Sequence, residues 1–353
     1  LSATKNTQDA KVAASPIEPS ARLATTEAEQ VVEEQKFYPS DRSQPAIGIV
    51  SDELSRGINP FGLIESAGVA DVTDSIESIA AKFDRFGLVK VRRVYSPETS
   101  RELTEHCIKF SGLQPMDFNK AKTKKEKGGL GGAPVFNDPV FWPYAANKKI
   151  KEIVVALLGQ NCFEFRSFVA AHYSARGLHR EFNKLVEDDS SPYSVKKPEK
   201  RIVRVQHYCG ISGGAFGYIP FSHDERLFAV QSKRVGFKRE TEWFDRHRDI
   251  LTNARTDKNF VDADEIERYI CWSHADPGDV IISNPAIFHC DEYLTGPRYF
   301  LVSTYAASDE TSLNLAKGNA KLFPDVGVKY YKYMSEQGFE GSADILRANG
   351  DIG

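Results

Sequence analysis

Cysteine is scarce: five in 353 residues, an odd number, with no Cys-x-x-Cys pair among them. That excludes a disulfide framework and a zinc knuckle, and it points to a reducing compartment. Long apolar runs are missing as well. None approaches the roughly 20 residues that cross a bilayer, so no transmembrane helix is expected and no membrane partner. Excess charge of one sign is missing too: 46 Lys and Arg stand against 49 Asp and Glu, a net charge of −3. That balance argues against a nucleic-acid partner. No repeat of fixed period is visible. The one glycine-rich stretch, GGLGGAP, lacks the GK[ST] of a phosphate loop. What is present is a 41% hydrophobic content, enough for a sizeable core, in a chain long enough for two domains or one large one.

Residues 1–36 are rich in Ala, Ser, Thr and Glu and poor in aromatics, a composition that cannot offset its own ordering entropy. They read as a disordered tail, and residues 37–353 as a single domain. The chain opens on Leu1 rather than Met, which leaves room for a removed leader. The expected location is the cytoplasm, or an organelle if that leader was a transit peptide.

A helical part spans about 74–160. Ile76, Ile79, Ala80 and Phe83 recur at helical spacing ahead of Gly87, a C-cap residue. LVKVRRV follows as a short strand, and Ser96-Pro97-Glu98 opens another helix with an N-cap, a first-turn proline and an acid. KKIKEIVVALL is a third helix, stopped by Gly159. From 163 to about 308 the pattern becomes short β-type runs: FEFRSFVAA, RIVRVQHY, AFGYIPF, RYICWSH, DVIISN and RYFLVSTYA. Charged stretches at 183–200 and 227–267 interrupt them, the second partly helical in pattern. Residues 309–353 read as helix and coil decorating the core. The expected fold is mainly β with flanking helices, around a distorted double-stranded β-helix of the jelly-roll or cupin type.

Eight histidines are available for chemistry. A non-haem iron(II) site takes two histidines and a carboxylate on one face of the metal. In sequence this is His-x-Asp or His-x-Glu with a second histidine far downstream. Two His-x-Glu tripeptides occur, His179-Arg180-Glu181 and His223-Asp224-Glu225. In a double-stranded β-helix the proximal pair sits on the second strand and the distal histidine on the seventh. Four strands should then intervene, and four lie between Glu181 and His289 but only two between Glu225 and His289. The expected metal ligands, and catalytic centre, are therefore His179, Glu181 and His289. The plainer readings are a surface turn for the pair and a buried, hydrogen-bonded histidine for His289.

At these residues the chain resembles the phytanoyl-CoA-dioxygenase-like family of Fe(II)/2-oxoglutarate oxygenases. GLHREF is similar to the family's His-Arg-Asp segment, with Glu181 in place of the commoner aspartate. GGAFGYIPFSHDE resembles its NGxxxxIPGSHK turn, which would make His223 a structural residue outside the metal site. PGDVIISNPAIFHCDEYLTGPRYFL resembles the closing hairpin, in which the histidine binds iron and a later arginine holds 2-oxoglutarate. FGLVKVRRVYSPE and KKIKEIVVALLGQN resemble upstream elements, so the likeness runs in order over roughly residues 75–310. Asp291 stands where the family often has serine, and Arg298 follows His289 by nine residues, closer than the family pattern.

The resemblance implies Fe(II), 2-oxoglutarate and O2 as cofactor and cosubstrates, with Arg298 on the distal carboxylate of 2-oxoglutarate. The reaction would decarboxylate 2-oxoglutarate to succinate and oxidise an unactivated C–H bond by hydroxylation, desaturation or oxidative cyclisation. Natural-product enzymes such as the kainoid synthases belong to this broad group. A monomer or weak oligomer acting on a small molecule is expected. An anionic substrate would suit Lys122, Lys124, Lys125 and Lys127 in the loop before GGLGGAP, although such a run is most simply a solvated surface. Arg204 and Gln206 alternate with Val203 and Val205. If their face points inward they contact substrate or 2-oxoglutarate; if outward, solvent. Cys290 beside His289 reads as structural. The competing classes are a β-helix that has lost catalysis and only binds, and a cupin-type metal enzyme that does not use 2-oxoglutarate.

Overall fold

The computed structural model describes residues 46–111, 133–134, 138–172, 180–181, 202–208, 214–224, 236–237, 254–255, 268–291, 298–310, 312–313 and 324–348. The tail, the glycine- and lysine-rich loop, His179 and the 183–200 stretch lie outside these residues. So does most of 227–267.

Helices come first. They are α1 (Ala46–Ser55), α2 (Phe61–Ala67), α3 (Ile76–Phe86) and α4 (Pro97–Ser111), with short strands β1 (Val69–Asp71) and β2 (Leu88–Arg92) between them. After β3 (Ala133–Pro134) come α5 (Trp142–Ala145) and α6 (Lys148–Leu158). The strands that follow are β4 (Phe163–His172), β5 (Ile202–Tyr208), β6 (Gly214–Tyr218), β7 (Gly236–Phe237), β8 (Ala254–Arg255), β9 (Cys271–Ala275), β10 (Val280–Ser283), β11 (His289–Asp291) and β12 (Arg298–Ala306). Helices α7 (Pro324–Glu336) and α8 (Gly341–Ala348) close the described chain.

The caps decide the ends of α3. Ser75 accepts a hydrogen bond from the Ser78 amide, so the helix starts at Ile76, and Gly87 ends it at φ 77°. The Gly87 position has a second constraint. A β-carbon there would sit 2.4 Å from Nδ1 of His223, so only glycine lets the IPFSH turn close against this helix.

The strands form a seven-stranded sheet in the order β1-β2-β10-β5-β12-β4-β3 and a three-stranded sheet in the order β11-β6-β9. A separate pair, β7 and β8, lies within the 227–267 stretch. Strands β1 and β2 thus belong to the larger sheet, with β2 antiparallel to β10. All seven residues of β5 are buried. Val203 and Val205 face a core shared with α3, α4, α6, α7 and α8. Tyr208, on the opposite face, joins a second core with the smaller sheet, α1 and α2. The sheet is thus covered on both faces.

The C-terminal segment is more than decoration. Tyr330, Met334, Phe339 and Ile345 are fully buried in the first core. There the Tyr330 hydroxyl donates 2.6 Å to the Glu164 carboxylate of β4. Burial pushes that carboxyl up to about 8.

Candidate metal centre

Two segments deliver the candidate ligands. His289 opens β11, which pairs with β6 so that His289 lies opposite Tyr218 and Asp291 opposite Phe216. The alternation of a strand puts Phe216 and His289 on one face of the smaller sheet, and their rings stack at 5.1 Å with an interplanar angle of 15°. His289 Nδ1 lies 3.0 Å from the carbonyl oxygen of Ile287. A carbonyl only accepts, so Nδ1 carries a hydrogen, and in the neutral ring the lone pair is on Nε2.

That lone pair faces Glu181. His289 Nε2 and Glu181 Oε1 are 3.6 Å apart. The separation suits two donors on one ion, each bonded at about 2.0–2.2 Å. Glu181 is fixed by its backbone, whose amide donates to the Pro285 carbonyl at 3.1 Å. The loop that accepts this bond is itself built tightly: the Asn284 side chain receives the Ala286 amide, and the Asn284 amide donates to Gly87.

Arg180 ties the same two segments together. Its guanidinium donates to the Ser222 carbonyl at 3.0 Å and lies 3.9 Å from the centre of the Phe288 ring. The Ser222 hydroxyl in turn accepts the Phe288 amide at 2.9 Å. The turn that carries His223 therefore buttresses the centre, while His223 itself points to α3, with Nε2 3.2 Å from the Asp84 carbonyl.

The face of Arg204 and Gln206 is settled. They share a side of β5 with Tyr208, opposite the core formed with α3, α4, α6, α7 and α8, and Arg204 forms an ion pair with Glu181 Oε1. Across the sheet Arg204 is flanked by Ser283 of β10 and Thr304 of β12, and Gln206 by Ile281 and Val302. Gln206 accepts from the Tyr208 hydroxyl at 3.4 Å.

Glu181, His289 and Arg204 thus converge, with Gln206 on the same wall of β5. Arg298 begins β12 opposite His172. Its side chain and that of Asp291 lie outside the described residues, as does His179. Among the described residues no third His, Cys, Asp or Glu joins Glu181 and His289. The donor chemistry fits a divalent metal: an imidazole with its outer nitrogen held by a carbonyl, beside a carboxylate. Sequence reasoning passed over Arg180 and Phe216. Arg180 lies inside the His-x-Glu tripeptide and Phe216 two residues before Tyr218, but their partners are far away along the chain.

No family model matches the sequence, and no curated protein matches it. Among solved structures the chain is similar to iron-bound HygX from Streptomyces hygroscopicus, at 15% identity over 64% of this chain and 84% of that one, with a TM-score of 0.41. It is also similar to SnoN, a non-haem α-ketoglutarate-dependent epimerase from nogalamycin biosynthesis, at 13% identity over 66% and 83%, with a TM-score of 0.45. A third is EctD from S. alaskensis in its apo form, at 15% identity over 67% and 78%, with a TM-score of 0.42.

Proposed function

We propose that the chain is a non-haem Fe(II)/2-oxoglutarate-dependent oxygenase that oxidises an unactivated C–H bond of a small molecule in natural-product metabolism. In this reading His179, Glu181 and His289 hold the iron. The observation that carries it is the approach of His289 Nε2 to Glu181 Oε1 at 3.6 Å, with the imidazole tautomer set by the Ile287 carbonyl. His179 precedes Glu181 by two residues, which supplies the second histidine of the donor set.

The order of the strands supports a double-stranded β-helix. Strands β4 and β5 lie in the larger sheet, β6 and β9 in the smaller, β10 in the larger, β11 in the smaller and β12 in the larger. This order suits a chain wound between two facing sheets, with His289 on the sixth of these seven strands. Residues 37–353 would be its single catalytic domain.

Iron(II) with 2-oxoglutarate and O2 supplies the oxidation of a C–H bond, with succinate and carbon dioxide as co-products. The chain supplies the rest. The Ile287 carbonyl holds Nδ1 of His289 and so aims Nε2 at Glu181, and Phe216 holds the ring in plane. Arg204 and Gln206 offer polar contacts from β5, and Arg298 would pair with the far carboxylate of 2-oxoglutarate. Phe168, Tyr208 and Phe300 line the same side of the larger sheet and keep water scarce. Hydroxylation, desaturation and ring closure share this apparatus; the pose of the substrate selects among them.

The test is a titration of 2-oxoglutarate into the Fe(II)-loaded protein without oxygen, followed by the visible absorption of the chelate. Wild type should develop the band and His289→Ala should not. Removing one partner of a buried charge pair costs about 3–5 kcal/mol, so Arg298→Ala should weaken 2-oxoglutarate by two or more orders of magnitude. Wild type that binds iron but gives no band with 2-oxoglutarate would point instead to a metal protein of another kind.

A further inference from the structure

One carboxylate oxygen serves two partners. Glu181 Oε1 is both the atom that faces His289 Nε2 and the atom that Arg204 pairs with. Arg204 has little freedom to withdraw. It is 7% exposed and rises from the middle of β5, which is hydrogen-bonded to β10 on one side and β12 on the other. Its cross-strand neighbours Ser283 and Thr304 are neutral, and the ring of Phe168 lies 5.9 Å from its guanidinium carbon. No carboxylate among these neighbours offers the guanidinium another anchor.

A partly buried carboxylate needs a positive neighbour, and Arg204 provides one. A divalent ion at the same oxygen would bring a second cation beside the first. Their repulsion is stronger in a shielded site than in water. The conflict disappears if an anion arrives with the ion and takes over the guanidinium, whose planar fork matches a carboxylate.

We propose that Arg204 is a placeholder cation. It occupies the Glu181 carboxylate while no metal is held and passes to the carboxylate of a 2-oxo acid when metal is held, so that metal and acid bind cooperatively. This deepens the metal reading above and rests on it. Arg204 therefore opposes the metal when the acid is absent and favours it when the acid is present. Linkage requires the converse: metal raises the affinity for the acid by the same factor.

The test uses the full chain, Mn(II) as probe, and the electron paramagnetic resonance signal of free Mn(II) as readout, with and without saturating 2-oxoglutarate. The acid chelates the ion in every variant, so the diagnostic is the change in coupling between variants. Without the acid, Arg204→Gln should bind Mn(II) at least tenfold more tightly than wild type. Its gain in affinity on adding 2-oxoglutarate should be at least tenfold smaller. Arg204→Lys keeps the charge, and should stay within about threefold of the wild-type acid-free affinity. It also carries the test if the glutamine variant does not fold: acid-free binding tenfold tighter in Arg204→Lys would show that the charge is not responsible. Equal coupling in wild type and Arg204→Gln would overturn the inference and leave the metal site standing. Failure of wild type to bind Mn(II) at a site lost in His289→Ala would overturn the metal reading and the inference together.

Discussion

The guanidinium of Arg180 lies 3.9 Å from the centre of the Phe288 ring, which joins the residue before Glu181 to the residue before His289. The two candidate ligands are 108 positions apart in sequence, from 181 to 289, and this contact holds their neighbours in register. Arg180 also donates to the Ser222 carbonyl, and Ser222 holds the Phe288 amide. Three segments meet at one buried cation.

Arg180→Met should therefore cost about 2 kcal/mol or more, from a lost charge-assisted hydrogen bond and a lost cation–π contact. Metal affinity should fall with it, because Glu181 and His289 are no longer held at a common distance. Arg180→Lys should restore only part of both, since a point charge replaces a planar fork. Urea unfolding and a Mn(II) titration on the same samples check this. Unchanged metal affinity in Arg180→Met would show that the clamp is dispensable.

Gly217 gives a prediction from the opposite side of the smaller sheet. A β-carbon there would meet Cys290 Sγ at 2.6 Å and the Trp272 ring at 2.9 Å. Gly217→Ala should push β11 away from β6, costing about 1–3 kcal/mol as overpacked sites do, and should loosen His289 next to Cys290. Adding Cys290→Ala should recover part of the loss, because it removes the nearer of the two obstacles. A double-mutant cycle measures the coupling; strict additivity would rule out the steric account.

His223 separates the two His-x-Glu tripeptides experimentally. It contacts Asp84 and Gly87 at the end of α3, while Glu181 meets His289. His223→Ala should lower the melting temperature by a few degrees, as about 1 kcal/mol does for a domain of this size, and leave Mn(II) affinity within twofold. Loss of metal as complete as in His289→Ala would make His223-Asp224-Glu225 the true pair.

Glu164 gives the pH dependence of stability. Burial raises its folded carboxyl to about 8, well above the ordinary glutamate value. The folded state therefore keeps a proton that the unfolded state releases, and stability is fullest below about 4.5. It should decline as pH rises through the window from about 4.5 to about 8, at roughly 1.4 kcal/mol per pH unit. Glu164→Gln, uncharged at every pH, should remove this slope. Denaturant unfolding at pH 5 and pH 8 checks it; equal slopes in wild type and variant would mean that Glu164 titrates normally.

Much of this architecture is legible from local pattern. Helix α3 announces itself through apolar spacing between Ser75 and Gly87, and β5, β10 and β12 through β-branched and aromatic runs. The segment 46–71 is not legible in this way. Gly48, Gly57, Pro60 and Gly62 interrupt it, and α1 and α2 are held by Ala46, Val50 and Ile64 packing against Phe221 and Tyr269, more than 150 residues away in sequence. The burial of α7 and α8 is legible only indirectly, in the alternating Tyr299, Leu301 and Tyr305 of β12, which share their core. The four runs counted between Glu181 and His289 recur as β5, β6, β9 and β10, because strand order is a property of pattern, while the short β7 and β8 are additional. The pairing of Arg204 with Glu181 has no local signature: its two residues are 23 apart, and Glu181 reaches the strand from a turn held by the Pro285 carbonyl.

The most direct measurement is a crystal structure of the full chain soaked with Mn(II) and 2-oxoglutarate without oxygen, with anomalous scattering used to locate the ion. The account predicts one peak bonded to His179, Glu181 and His289, 2-oxoglutarate completing its shell, and Arg204 turned from Glu181 to the acid. A peak elsewhere in the molecule, or one that touches His289 without Glu181, would contradict it.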